Sequence, residues 1–317
     1  MNTENTMIAV LGENVVDLLM QPDGNFCPHL GGSPFNVAIG IAKQEVPVTY
    51  LSPISQDRFG DNFLRYMQTH GVEYGAPHRS ALPSSAAIVT LDAQRQPHYS
   101  IYRHHVADRD ISTGLLVSCL PEKTRILHTG SLALEPEDLA KVKTLLAFAK
   151  SRGVRISIDI NIRMDFVTDK AAYSAGIEEL VPLCDYVKAS DEDLIKLYPD
   201  MSLSDALAKF KSLIPGALFA YTEGDKGALL CTQAIEITMP VIRPDVFGDT
   251  VGAGDTFYSM LLAYLWSENL DTIAPSLLSD KQLSPALKHA IVAASINVSR
   301  HGCMPPSKVE VQQKLAC

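Results

Sequence analysis

The chain has 317 residues, 46% of them hydrophobic and 20% charged, enough apolar material for one large α/β domain or two small ones. Its formal net charge is -9 and its Lys and Arg residues form no cluster, which excludes the concentrated basic surface of a nucleic-acid binder. Six cysteines, at 27, 119, 184, 231, 303 and 317, form no Cys-x-x-Cys pair and read as thiols of a reducing cytoplasm.

Residues 1–7 carry no basic stretch and run straight into a short strand at 7–11, which argues against a signal peptide. A β-rich segment follows at 15–20. Ser33-Pro34 places an N-cap before a Pro at the first helical position and opens a helix to about residue 44. A strand over 48–51 and a helix over 59–69, ended by Gly71, come next. Residues 86–103 form a second β-rich stretch, with strands at 88–91 and 98–102 around the long turn Asp92-Ala-Gln-Arg-Gln-Pro97. Then come a strand at 125–128, a helix over 136–151 closed by Gly153, and a strand at 155–159. A helix over 171–183, a strand at 186–188, a helix over 203–213 and a strand at 217–221 continue the alternation. The apolar helical run that ends at Trp266 is too short to cross a bilayer. Alternating strands and helices predict a mostly parallel sheet covered by helices. The two β-rich interruptions have little helix near them, so they predict a small separate β layer. No repeat or Pro/Gly-rich linker marks a second domain.

The chemistry concentrates in Asp249-Thr-Val-Gly-Ala-Gly-Asp-Thr-Phe257. Gly252, Ala253 and Gly254 leave the backbone bare just before a helical run. A loop of that kind offers unpaired N–H groups and the positive end of the helix dipole, which together make an anion site. Asp255 falls in the first helical turn. There it either accepts a proton from an attacking hydroxyl or serves as an ordinary N-cap, and the residues alone leave both open. A dinucleotide fingerprint fails because its third glycine position is Phe257, and a P-loop fails because no Gly-Lys-Ser/Thr follows.

The full string resembles the C-terminal signature of the ribokinase-like (PfkB) sugar kinases. Gly31-Gly-Ser-Pro-Phe-Asn36-Val-Ala38 resembles the N-terminal signature, Gly-Gly-x-x-x-Asn-Val-Ala. Both occur in the family's order, and the resemblance runs from about Ile8 to about Ser307. It implies one kinase domain over 1–317, of α/β class, with a central mostly parallel sheet flanked by helices on both faces. A small β lid would be formed by about 12–32 and 86–108.

The resemblance also implies roles. Asp255 is similar to the family's catalytic base, and Gly252, Ala253 and Gly254 to its anion hole. Asp17, Gly32 and Asn36 match positions that hold sugar hydroxyls, work to which short Asp and Asn side chains are suited. Thr222-Glu-Gly224-Asp-Lys-Gly227 resembles the loop that lines ATP, although a tight turn would use the same glycines. Asp159-Ile-Asn161-Ile-Arg163 resembles a fructokinase run just past a strand end, where open α/β sheets bind ligands. Asn161 would face nucleotide or substrate, and Arg163 the transferred phosphate or the sugar. Ser190-Asp-Glu192-Asp193 departs from the family's Asn-x-x-Glu, whose Glu acts through water on Mg²⁺. Either Asp193 or Glu192 would serve that ion. A potassium ion would be ringed by Asp249 and Val251 with Asn297, Arg300, Gly302 and Ser307, mostly through carbonyls. Arg103, followed by the loop residues His104 and His105, lies in a stretch similar to the lid of bacterial fructokinases and would touch the sugar or its carboxylate.

The reading is therefore an ATP-dependent kinase with Mg²⁺ and K⁺ as cofactors, acting on fructose to give fructose 6-phosphate. Its rivals are a 2-keto-3-deoxygluconate kinase, in which Arg103 and Arg163 would hold the acid, and a nucleoside kinase. A further alternative is a non-catalytic sugar-binding regulator on the same fold. The expected partners are a small sugar and ATP, with no nucleic acid and no membrane. Exposed edges of the lid strands suit a homodimer, and a monomer with a closed lid fits equally well.

Overall fold

The computed structural model describes residues 6–21, 23–91 and 97–316. In chain order the strands are β1 (Met7–Val10), β2 (Val15–Met20), β3 (Phe26–Gly31), β4 (Val48–Tyr50), β5 (Val72–Tyr74), β6 (Ser85–Leu91), β7 (Pro97–Tyr102), β8 (Thr124–Gly130), β9 (Arg155–Asp159), β10 (Tyr186–Ser190), β11 (Leu218–Thr222), β12 (Ala228–Cys231) and β13 (Glu236–Met239). The large sheet has the order β13-β12-β11-β10-β9-β8-β1-β4-β5. From β11 to β5 every pairing is parallel, while β12 and β13 add an antiparallel edge.

A strand covered on both faces must be apolar on both, and these are. Ile8 and Val10 enter one core, and Ala9 and Leu11 the other. Phe219 and Tyr221 divide from Leu218 and Ala220 in the same way. Helices Ser33–Lys43, Arg58–His70, Ala253–Ser267 and Asp280–Val298 cover one face, and Pro136–Ser151, Lys170–Leu180 and Leu203–Leu213 the other. The chain leaves β1 toward β4 and β5, then returns to pair β8 on the opposite side of β1. Strand order reverses there, which opens a crevice above the C-terminal strand ends.

The β-rich interruptions form a four-stranded sheet of their own, ordered β3-β2-β6-β7. One face meets the main body through a small apolar cluster of Val15, Ala87 and Leu132.

Several local expectations need correction. Ser33 is not the N-cap. Gly32 caps the helix at φ 105°, and the Ser33 hydroxyl turns to Asp255 instead. The helix expected over 171–183 runs Lys170–Leu180 and tightens into a 3-10 turn at Val181–Leu183, where Pro182 has no N–H to give. Strands β3, β5, β12 and β13 were not anticipated. The turn expected between β6 and β7 falls on 92–96, outside the described residues. Among the described residues, no helix is long and apolar enough to cross a membrane.

Candidate active site

Helix Ala253–Ser267 begins at Gly252, which adopts φ 71°. A side chain at that position would meet Cys303, since an added Cβ would lie 2.2 Å from its Sγ and 2.9 Å from its Cα. Glycine is therefore required both by the left-handed backbone and by the neighbour. The Ala253 N–H donates to the Thr250 carbonyl at 3.2 Å. Among the described residues, the N–H groups of Gly252 and Gly254 have no such partner. The loop thus presents two free donors at the positive end of a 15-residue helix, and the third, on Ala253, is tied into a turn.

Asp255 lies buried in the first turn. Ser33 Oγ donates to one of its oxygens at 2.7 Å and Asn36 Nδ2 to the other at 2.8 Å. Both donors project from the helix that opens the N-terminal signature, so the two signatures meet at this carboxylate. An Asp used only as a cap would accept from its own helix's N–H groups, and this helix shows no side-chain cap.

The small sheet supplies the facing wall. Asp17, on β2, lies so close to Gly31 that an added Cβ there would sit 2.6 Å from Asp17 Oδ2. Burial raises the Asp17 carboxyl to about 6, against the lowering pull of the Arg163 guanidinium nearby. Gly32 approaches the backbone of Glu13 and Asn14 as only a glycine can, with an added Cβ 2.3 Å from the Glu13 carbonyl oxygen. Glu13 accepts the Ser33 N–H at 3.2 Å. Burial raises its carboxyl to about 7, opposed chiefly by Arg103.

Arg103 is placed differently from the sequence expectation. It is buried, with one terminal nitrogen 2.6 Å from Asp108 and the other 2.9 Å from Glu135. Both of its terminal nitrogens are thus paired inside the protein. His104 and His105 are exposed on the following turn.

On the other side of Asp255 lies a cavity of about 690 Å³. Asn161, Ser190, Thr222, Gly224 and Gly227 line it together with Gly254. Thr222–Gly227 is indeed a turn, between β11 and antiparallel β12, and Gly227 is fixed by close approach to the Met239 carbonyl. The same turn faces the cavity, so the two readings of those glycines coexist. Asp193 is held firmly: Oδ1 accepts the Ile162 N–H at 2.7 Å, and Oδ2 accepts the Ser190 N–H and hydroxyl at 2.8 Å. Glu192 is exposed and lines the cavity. Lys188, which sequence reasoning passed over, also lines it, although it is buried and paired with Asp159. The available signal was a charge inside an apolar strand.

The expected cation ligands come together beside the glycine loop. Asp249 accepts the N–H groups of Val251 and Gly302 at 2.9 Å each, and its own N–H donates to the Arg300 carbonyl. Asn297 donates to the Val251 carbonyl at 2.8 Å and accepts from the Met304 N–H. The Asp249 carboxylate and the nearby backbone carbonyls are oxygen donors of the kind that a hard monovalent cation takes. The Asn297 side chain ties down the loop, and the Ser307 hydroxyl bonds Glu310.

Comparison with known proteins bears on the family and the fold. The family described as pfkB family carbohydrate kinase matches residues 5–310. A fructokinase of Rhizobium leguminosarum bv. trifolii is 34% identical over 272 residues, covering 84% of this chain and 82% of that protein. Among solved structures, fructokinase with bound ATP from Xylella fastidiosa superposes with a TM-score of 0.86 at 22% identity, over 98% of each chain. A fructokinase double mutant from Vibrio cholerae O395, bound to fructose, ADP and potassium, superposes with a TM-score of 0.81 at 23% identity, over 98% of each chain.

Proposed function

The chain belongs to the pfkB family of carbohydrate kinases, and from that premise we propose that the sugar it phosphorylates with ATP is fructose. The observation that carries the reading is Asp255, oriented by Ser33 and Asn36 between the facing small sheet and the cavity. The sugar lies between Asp255 and Asp17, with Gly32 and Asn36 beside its hydroxyls, and the small sheet acts as a lid that keeps water out. ATP fills the cavity lined by Asn161, Ser190, Thr222, Gly224 and Gly227.

Asp255 accepts the proton of the attacking hydroxyl. Ser33 and Asn36 hold its two oxygens in place for this. The free N–H groups of Gly252 and Gly254 and the helix dipole stabilise charge on the γ-phosphoryl oxygens. The Ala253 N–H joins them once its turn bond to Thr250 is released. A bound Mg²⁺ ion would neutralise phosphate charge. Glu192 is the carboxylate free to reach it through water, because Asp193 is engaged in holding Ile162 and Ser190. Asp249 and the carbonyls of Val251, Arg300 and Gly302 would hold a K⁺ ion, whose charge would help to stiffen the glycine loop.

A sugar acid fits less well. Arg103 is paired inward, and Arg163 stands beside the carboxylate of Asp17, which would repel a second one. ADP release with fructose, 2-keto-3-deoxygluconate, ribose and adenosine tests the assignment. Fructose is expected to give a kcat/KM at least about tenfold above the others, a gap of roughly 1.4 kcal/mol in transition-state binding. A higher value with any of the other three overturns fructose as substrate, and no turnover with any of them favours a non-catalytic sugar binder.

A further inference from the structure

Lys188 occupies an unusual position. It lies on β10 directly across from Asp159 on β9, and its Nζ is 2.8 Å from Asp159 Oδ2, with both side chains almost wholly buried. The face on which the pair stands is that of the catalytic helix: two residues before Asp159, Ser157 Oγ donates to the hydroxyl of Tyr258 at 2.9 Å. One turn earlier in that helix is Gly254. A Cβ added to Gly254 would sit 3.4 Å from Lys188 Nζ, so the ammonium packs against the bare backbone of the anion loop. It also lines the nucleotide cavity.

Two physical facts make this placement informative. A helix N-terminus repels cations, so an ammonium beside the first turn is unfavourable unless an anion joins it. Burial alone would also strip its charge. Burial does pull the Lys188 pKa down, but Asp159, Asp193 and Asp255 together outweigh that and hold it above the usual lysine value. The structure therefore keeps a charged ammonium beside the anion loop, compensated by buried carboxylates. The other cationic side chain lining the cavity, Arg243, is exposed at its surface.

We propose that Lys188 is a further catalytic residue of the sugar kinase, contacting the transferred γ-phosphoryl group, and that Asp159 is the positioning residue that holds it. This rests on the kinase reading. In the step, the bond between the sugar oxygen and the γ-phosphorus forms and the bond between that phosphorus and the bridging oxygen breaks. The electron pair leaves with ADP, and the hydroxyl proton goes to Asp255. Lys188 keeps its proton and faces the phosphoryl oxygens opposite the glycine N–H groups.

The test compares wild type with the double variant Lys188→Met/Asp159→Asn, which leaves no lone buried charge. With Mg²⁺ and fructose, kcat should fall about a hundredfold or more. Calorimetry should show that the β,γ-imido analogue of ATP loses affinity while ADP keeps its own, a split that a general loss of structure would not produce. A variant that retains both its rate and its preference for the analogue overturns the role of Lys188. Equal loss of analogue and ADP binding overturns it as well. A crystal of the wild-type enzyme with the analogue gives an answer that needs no variant. Lys188 Nζ should lie about 3 Å from a γ-phosphoryl oxygen, and a water-filled gap between them would contradict the proposal. If the wild type itself turns over no sugar, the kinase reading fails instead, independently of Lys188.

Discussion

Burial raises the carboxyls of Asp17 and Glu13 on the small-sheet side of the site. Asp17 is raised to about 6, so as pH falls through that value it gains a proton and can no longer accept hydrogen bonds from two hydroxyls at once. The KM for fructose should therefore rise below about pH 6, by up to roughly tenfold per pH unit, and level off above pH 7. Asp159 and Glu13 titrate in the same range, so Asp17→Asn is the control. It should remove the acid limb from KM while raising KM at pH 8. An acid limb that persists unchanged in the variant would assign the dependence elsewhere. At this scale, Asp255, Asn36 and the glycines were legible because their spacing repeats two signatures. The inward pairing of Arg103 was not, since Glu135 is 32 residues further on and an Asp five residues away, Asp108, is no sign by itself that the chain turns back onto the guanidinium. Ser33 was misread because a Ser before a Pro is also what a capped helix start looks like.

The glycine loop acts as an element, fixed from below by Cys303 and from the side by Asp249 and Asn297. Gly252→Ala must move it. The new methyl group would strain a backbone at φ 71° and would collide with Cys303 backbone as well as its thiol. The expected result is a fall in kcat of about a hundredfold, with binding of ADP largely kept. Adding Cys303→Ala should not rescue the rate, because the Cβ and Cα of Cys303 remain within 3.0 Å of the added group. Full rescue would show that the thiol alone set the loop. The alternation of the parallel sheet was readable because doubly buried strands are apolar runs between amphipathic helices. β3 escaped notice because it is an exposed edge strand with Pro28 in it, paired only to β2. β12 and β13 are four residues each and follow a glycine turn that reads equally well as a ligand loop.

Across the whole molecule, the site exists only because the chain's two ends are brought together. Asp255 takes its hydrogen bonds from residues 222 and 219 positions earlier, through packing of helix Ser33–Lys43 on helix Ala253–Ser267. The large sheet places both helices on one face and its switch point beneath them, while the small sheet stands on the Asp17 side. The central claim is that the carboxylate at this junction is the base. Single-turnover phosphorylation of fructose by Asp255→Asn, with wild type beside it, tests that most directly. Asn keeps the size and can still meet Ser33 and Asn36, so ATP and fructose should bind much as before. The phosphoryl-transfer rate should fall about a thousandfold or more, whereas a variant that transfers phosphate within about tenfold of wild type would contradict the account.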